Sequence, residues 1–92
     1  MIKIRGLGKL RTLNHTLSLE LNPRATIKEV LLDLKKKMPQ LNEILTGDAK
    51  PVVGVLILLN EIDCRLIYNE ELKNIAKDDT LTITIIPVSH GG

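Results

Sequence analysis

Apolar and charged residues alternate from the start of the chain, Ile2 and Ile4 against Lys3 and Arg5. This period of two predicts a strand with one face in a core and the other in water. Gly6-Leu7-Gly8 bulges or ends it. Leu17, Leu19 and Leu21 then alternate with Thr16, Ser18 and Glu20, a second strand. Asn14-His15 between them suits a turn, so the two read as an antiparallel hairpin. Asn22-Pro23-Arg24 stops the sheet. From Thr26 the period changes: Ile27, Val30, Leu31, Leu34 and Met38 mark one face of a helix. Thr26 and Glu29 have the spacing of a capping box. Lys35-Lys36-Lys37 fills the last turn, where cations offset the helix dipole, and Pro39 forbids continuation.

Residues 40–46 read as a short helix and Gly47-Asp48 as a turn. The run 52–59 is apolar on both faces, unlike the first two strands. A sheet covered by a single helix buries one face only. The second apolar face is therefore either covered by loops or a patch for a partner. Asn60-Glu61 is a turn into a short strand around Cys64-Arg65-Leu66-Ile67, and 69–76 is a connection with one helical turn. Asp78-Asp79 precedes a last strand over 80–88, with Leu81, Ile83 and Ile85 on one face. The order β-β-α-β-β-β suits an α+β roll, one helix packed on a mixed sheet.

Composition narrows the classes of function. Ninety-two residues hold one core, so 1–88 is expected to be the domain and 89–92 a flexible tail. With no Phe or Trp, and Tyr68 as the one aromatic, the core must be aliphatic and there are no platforms for base stacking. A net charge of +2 is small for a phosphate-binding surface, so direct nucleic-acid binding is not expected. The lone Cys64 excludes an internal disulfide, and His15 and His90 lie too far away in sequence to suggest a metal-ligand cluster with it. The opening residues have no signal-peptide pattern, and no run approaches the roughly 20 apolar residues that span a bilayer. A cytoplasmic monomer is the expectation.

Candidate chemistry is sparse. Ser89 and His90 are adjacent but lack a third group to orient them, and no catalytic residue is expected. Cys64 could be a thiol carrier, but nothing beside it clearly depresses its pKa, which favours a packing residue. Asp63 and Arg65 read as a surface ion pair, His15 as a solvated turn residue, and the lysine run as a solvated helix end or a docking patch. The terminal Gly91-Gly92 stands out. A carboxylate flanked by residues without side chains can enter a narrow slot, because glycine has no Cβ to clash. Two terminal glycines arise by chance in about one chain in 200, so the pair needs support from the rest of the chain.

That support comes from several blocks. Thr26-Ile27-Lys28-Glu29-Val30-Leu31 with Leu34-Lys35-Lys36 is one. Thr46-Gly47-Asp48 with Val53-Gly54-Val55-Leu56-Ile57-Leu58-Leu59-Asn60-Glu61, the acids Asp63 and Asp78, and His90-Gly91-Gly92 are the others. Together, over nearly the whole chain, they resemble the ubiquitin-related modifier family of β-grasp, ubiquitin-like sulfur carriers. Two features depart from that pattern. Cys64 stands where the family often has an aromatic residue, and Ile86-Pro87-Val88-Ser89 is similar instead to the small subunit of molybdopterin synthase.

The resemblance implies a β-grasp fold and a protein that is a cosubstrate rather than an enzyme. Gly92 would be adenylated by an activating enzyme and converted to a thiocarboxylate, with Gly91 and His90 needed for that activation. ATP would be used by the enzyme, with no cofactor bound by this chain. The sulfur would pass to tRNA thiolation through a thiolating enzyme, or the activated end would form isopeptide bonds to target lysines. Leu56, Leu58 and Ile86 are the candidate docking residues. Two alternatives stand beside this reading: the sulfur-carrying subunit of molybdopterin synthase, and a β-grasp interaction module that does not conjugate.

Overall fold

Five strands and one helix form the regular structure of the computed structural model, which describes residues 1–88. They are β1 (Ile2–Gly6), β2 (His15–Leu17), α1 (Ile27–Lys37), β3 (Val55–Leu59), β4 (Ile62–Asp63) and β5 (Leu81–Pro87). Single 3-10 segments occupy Gly8–Leu13, Pro39–Glu43, Cys64–Leu66 and Leu72–Asn74. The strands stand in the order β2-β1-β5-β3-β4. β1 and β5 are parallel at the centre, and every other pair is antiparallel. This is a β-grasp roll, as expected. The tail expected at 89–92 lies outside the described residues.

The alternating pattern sets the register. Ile4 stands opposite Ile83, and Ile83 opposite Leu59, a row of three inward residues across the central strands. All three are at most 3% exposed. A slip of one residue would turn every one of them to water. On the other side of the core, α1 supplies Ile27, Val30, Leu31 and Leu34, with Met38 just beyond its end, and all are buried in the same cluster.

The capping box forms as read. Thr26 has extended backbone angles; its hydroxyl accepts from the Glu29 N–H at 3.2 Å, and Glu29 accepts from the Thr26 N–H at 3.0 Å. These bonds, the backbone one foremost, hold the Glu29 carboxyl below its ordinary range. In the last turn Lys35 donates to the Thr46 carbonyl and Lys37 pairs with Asp33 one turn back. Two of the three lysines thus find partners at the helix end, and Lys36 is exposed.

The structure corrects three local expectations. The second strand pairs only over His15–Leu17; Leu19 and Leu21 keep the half-buried alternation but leave the ladder. Ile2 is already opposite Leu17, and β1 begins there, so later residues have no neighbour to bond. His15 is not in the turn but in β2, exposed and opposite Ile4. The turn is the 3-10 segment Gly8–Leu13, closed by Asn14, whose side-chain oxygen accepts from the Gly6 N–H at 2.7 Å. Finally, the strand expected around 64–67 ends earlier, at Asp63. The Asp63 carboxylate accepts from the Arg65 N–H at 3.0 Å and draws the backbone into a 3-10 turn, a local bond that competes with the ladder.

Gly6 is where this packing has no slack. A Cβ built there would lie 1.8 Å from the Leu10 carbonyl oxygen, a backbone atom that cannot swing away. Gly6→Ala should therefore lower stability by about 3 kcal/mol, seen as a fall in the urea midpoint. Gly47→Ala, where nothing stands within 4 Å, should stay within about 0.5 kcal/mol. Equal midpoints for the two variants would contradict the close approach.

Candidate functional site

Residues directly opposite on neighbouring strands share a face, so the register shows what the sheet presents away from α1. Leu56 faces Ile86 across β3 and β5, and Leu58 faces Thr84. All four are half-buried, whereas Ile57 and Leu59 between them are at most 1% exposed and point into the core. The outer face of β3 is therefore the one bearing Leu56 and Leu58. The three candidate docking residues come together there in one half-buried strip.

The strip runs on toward the end of the described chain. The Val88 N–H donates to the Gly54 carbonyl at 2.8 Å, so the β3–β5 bonding continues past Pro87. Val88 is 44% exposed, and Val53 beside Gly54 is 95% exposed. Sequence reading missed these two as surface residues. The available signal was Gly54, whose positive φ of 88° breaks the apolar run and begins β3 at Val55 rather than at 52.

Charge frames the strip on both sides. Lys3 and Arg5 stand opposite Thr82 and Thr84 on the β1 side. On the β4 side Asp63 faces Leu58 and is clasped by Arg65, with N–O distances of 2.6 and 3.1 Å. The Arg65 guanidinium, with the Arg65 backbone N–H, holds the Asp63 carboxyl below its ordinary range. Asp63 is thus a fixed anion in a surface pair. Gly92, Gly91 and His90 lie outside the described residues.

The solution structure of small archaeal modifier protein 1 from Methanosarcina acetivorans is similar to this chain. The two are 30% identical over 99% of this chain and 95% of the other, with a TM-score of 0.56. The chain belongs to the ubiquitin-related modifier family. No protein-family model and no curated protein matches it.

The modifier's one thiol is not on the outer face. Cys64 is fully buried, its Sγ 3.9 Å from the Tyr68 hydroxyl, which in turn donates to the Ala49 carbonyl at 2.9 Å. Burial, with the nearby Asp63 charge, pushes the Cys64 thiol up, and burial likewise pushes up the Tyr68 hydroxyl. The thiol stays protonated and shielded, which is the packing role rather than that of a carrier. Among the described residues no three His, Cys, Asp or Glu side chains are grouped to hold a metal, and no helix is long and apolar enough to cross a membrane.

In the folded modifier Cys64 should resist iodoacetamide at about pH 8 and react fully once urea unfolds the chain. Intact mass reads this directly. Rapid alkylation under native conditions would contradict the burial.

Proposed function

We propose that this modifier acts as a sulfur carrier and protein modifier whose reacting atom is the carboxyl carbon of Gly92. The observation that carries the reading is the apolar strip Leu58, Leu56 and Ile86. It lies on the sheet face opposite α1 and runs along β5 in the direction of Gly91-Gly92. The 30% identity to a small archaeal modifier supports it.

A carboxylate is a poor electrophile, because its charge is delocalised and its leaving group would be oxide. In the proposed sequence an activating enzyme lets the Gly92 carboxylate attack the α-phosphate of ATP, giving an acyl-adenylate and pyrophosphate. A persulfide on a sulfur-transfer enzyme displaces AMP, and a thiol then reduces the acyl disulfide to the thiocarboxylate. That group donates sulfur to tRNA in the cytoplasm. In the conjugating branch, the amine of a target lysine displaces the activating group and forms an isopeptide bond. ATP belongs to the enzyme's site. This chain's own part is to dock through Leu56, Leu58 and Ile86 and to present an end, His90-Gly91-Gly92, whose last two residues carry no side chain.

A second destination for the sulfur is molybdopterin synthesis, favoured by Ile86-Pro87-Val88-Ser89, and it uses the same activation at Gly92. A binding module that does not conjugate would use the same strip and ignore the carboxylate.

Incubation with the adenylating enzyme of the same cell, ATP and a sulfur donor should shift the intact mass by one sulfur-for-oxygen exchange, located at Gly92. Deleting Gly92 should abolish the exchange and leave thermal unfolding almost unchanged. A wild-type chain that a demonstrably active enzyme leaves unmodified would overturn the proposal. Full partner affinity and cellular activity after deletion of Gly92 would favour the binding module.

A further inference from the structure

At the end of the outer face away from Pro87, the apolar strip gives way to a polar recess of about 330 Å³. Arg5 from β1, Lys77 from the loop before β5, Thr82 and Thr84 from β5, and Asn60 and Glu61 from the β3–β4 turn line it. Asn60 is part of the frame: its side chain donates to the Ile75 carbonyl at 2.7 Å and accepts from the Thr82 N–H at 2.8 Å. Asn60 and Glu61 both have positive φ, 47° and 72°, the two-residue turn that puts Asn60 there. Among the described residues, neither Arg5 nor Lys77 has an ion-pair partner. Lys3, two residues before Arg5, adds its charge to the same face. Arg5 and Lys77 thus line the recess together with one carboxylate, that of Glu61, while the exposed Asp78 and Asp79 follow Lys77 in its loop.

We infer that this recess receives a carboxylate side chain of the activating enzyme, as a second anchor beside the apolar strip; the inference rests on the function proposed above. A guanidinium with neighbouring hydroxyls and an ammonium is a fitting set of donors for a carboxylate. The outward residues of β5 read Thr82, Thr84, Ile86, so the two threonines of the recess lie about 13 Å and about 7 Å from the apolar end at strand spacing. The matching partner surface has an apolar patch with an Asp or Glu at a distance in that range.

The arrangement supplies something the strip cannot. Apolar burial is non-directional and lets two surfaces slide or rotate. A charge pair placed off-centre selects one orientation and speeds encounter. With the recess engaged, β5 points one way along the enzyme. RNA phosphate would also meet cations here. It is the weaker match, because three cations are few for a phosphate track and the only aromatic in the chain, Tyr68, is bonded to Ala49 rather than offered for stacking.

The test uses the full chain and the adenylating enzyme, identified by ATP–pyrophosphate exchange that depends on this chain. Arg5→Glu and Lys77→Glu should each raise the chain's KM about tenfold, leaving exchange at saturation within twofold of wild type. Arg5→Lys should fall between wild type and Arg5→Glu. The wild-type KM should climb with salt, and that of an Arg5→Gln, Lys77→Gln double variant, which lacks both charges, should be nearly flat. Lys28→Glu, an exposed lysine on α1 in the other layer, is the control and should stay within twofold. A photocrosslinker at Thr84 should recover an enzyme peptide containing Asp or Glu. An active wild-type chain with unchanged KM for both reversals, or a crosslinked peptide without acid, overturns the inference alone. So does unchanged KM together with salt-sensitive tRNA binding that Arg5→Glu abolishes. A wild-type chain that supports no exchange overturns the function proposed above and this inference with it.

Discussion

The parallel pairing of β1 with β5 is the constraint on which the rest of the structure depends. It runs from Ile2 opposite Leu81 to Gly6 opposite Ile85, and backbone bonds extend it at both ends: Leu81 donates to Met1, and Leu7 to Ile85. Two strands from opposite ends of the described chain thus form the middle of the sheet, and each brings its own alternation. Once Ile4 is aligned with Ile83, Arg5 and Thr84 must face outward together, and Ile86 follows them. The outer face is therefore a consequence of how the core is filled. The same pairing explains the lack of room at Gly6, where the chain turns into a 3-10 segment directly against the strand it has just left.

Much of this was legible in the sequence because it is local. The capping box at Thr26 and Glu29, the stop at Pro39 and the turn at Asn60-Glu61 are each decided within a few residues, and each stands as read. The inward sets Ile2 and Ile4, and Leu81, Ile83 and Ile85, follow from alternation alone. What could not be read depends on partners far along the chain. The length of β2 is set by where β1 begins, and the position of His15 by a turn that only Gly6 and Leu10 make possible. At Asp63 a side chain outcompetes the ladder, a choice that strand propensity does not reveal.

The candidate site was half legible for the same reason. The double apolar character of β3 announced that one face lacked a helix to cover it. Which residues formed that face became clear only from the pairing of Leu56 with Ile86. Val53 and Val88 join the surface because Gly54 turns the chain at a point that the apolar run conceals. The cationic recess was invisible in sequence, since Arg5, Asn60, Lys77 and Thr82 are brought together only by the sheet. A tempting nucleophile, Cys64, is removed from consideration by burial. What remains is a small scaffold that displays one shaped and charged face and leaves acyl activation, as proposed, to a partner.

The central claim is that this outer face, and not the helix layer, meets the activating enzyme. Cross-saturation NMR on the labelled full chain bound to that enzyme tests it most directly. The account predicts signal loss at Leu56, Leu58, Thr84 and Ile86, with the exposed positions Lys28 and Lys36 on α1 unaffected. Loss concentrated on α1, with the β3 and β5 amides untouched, would contradict it.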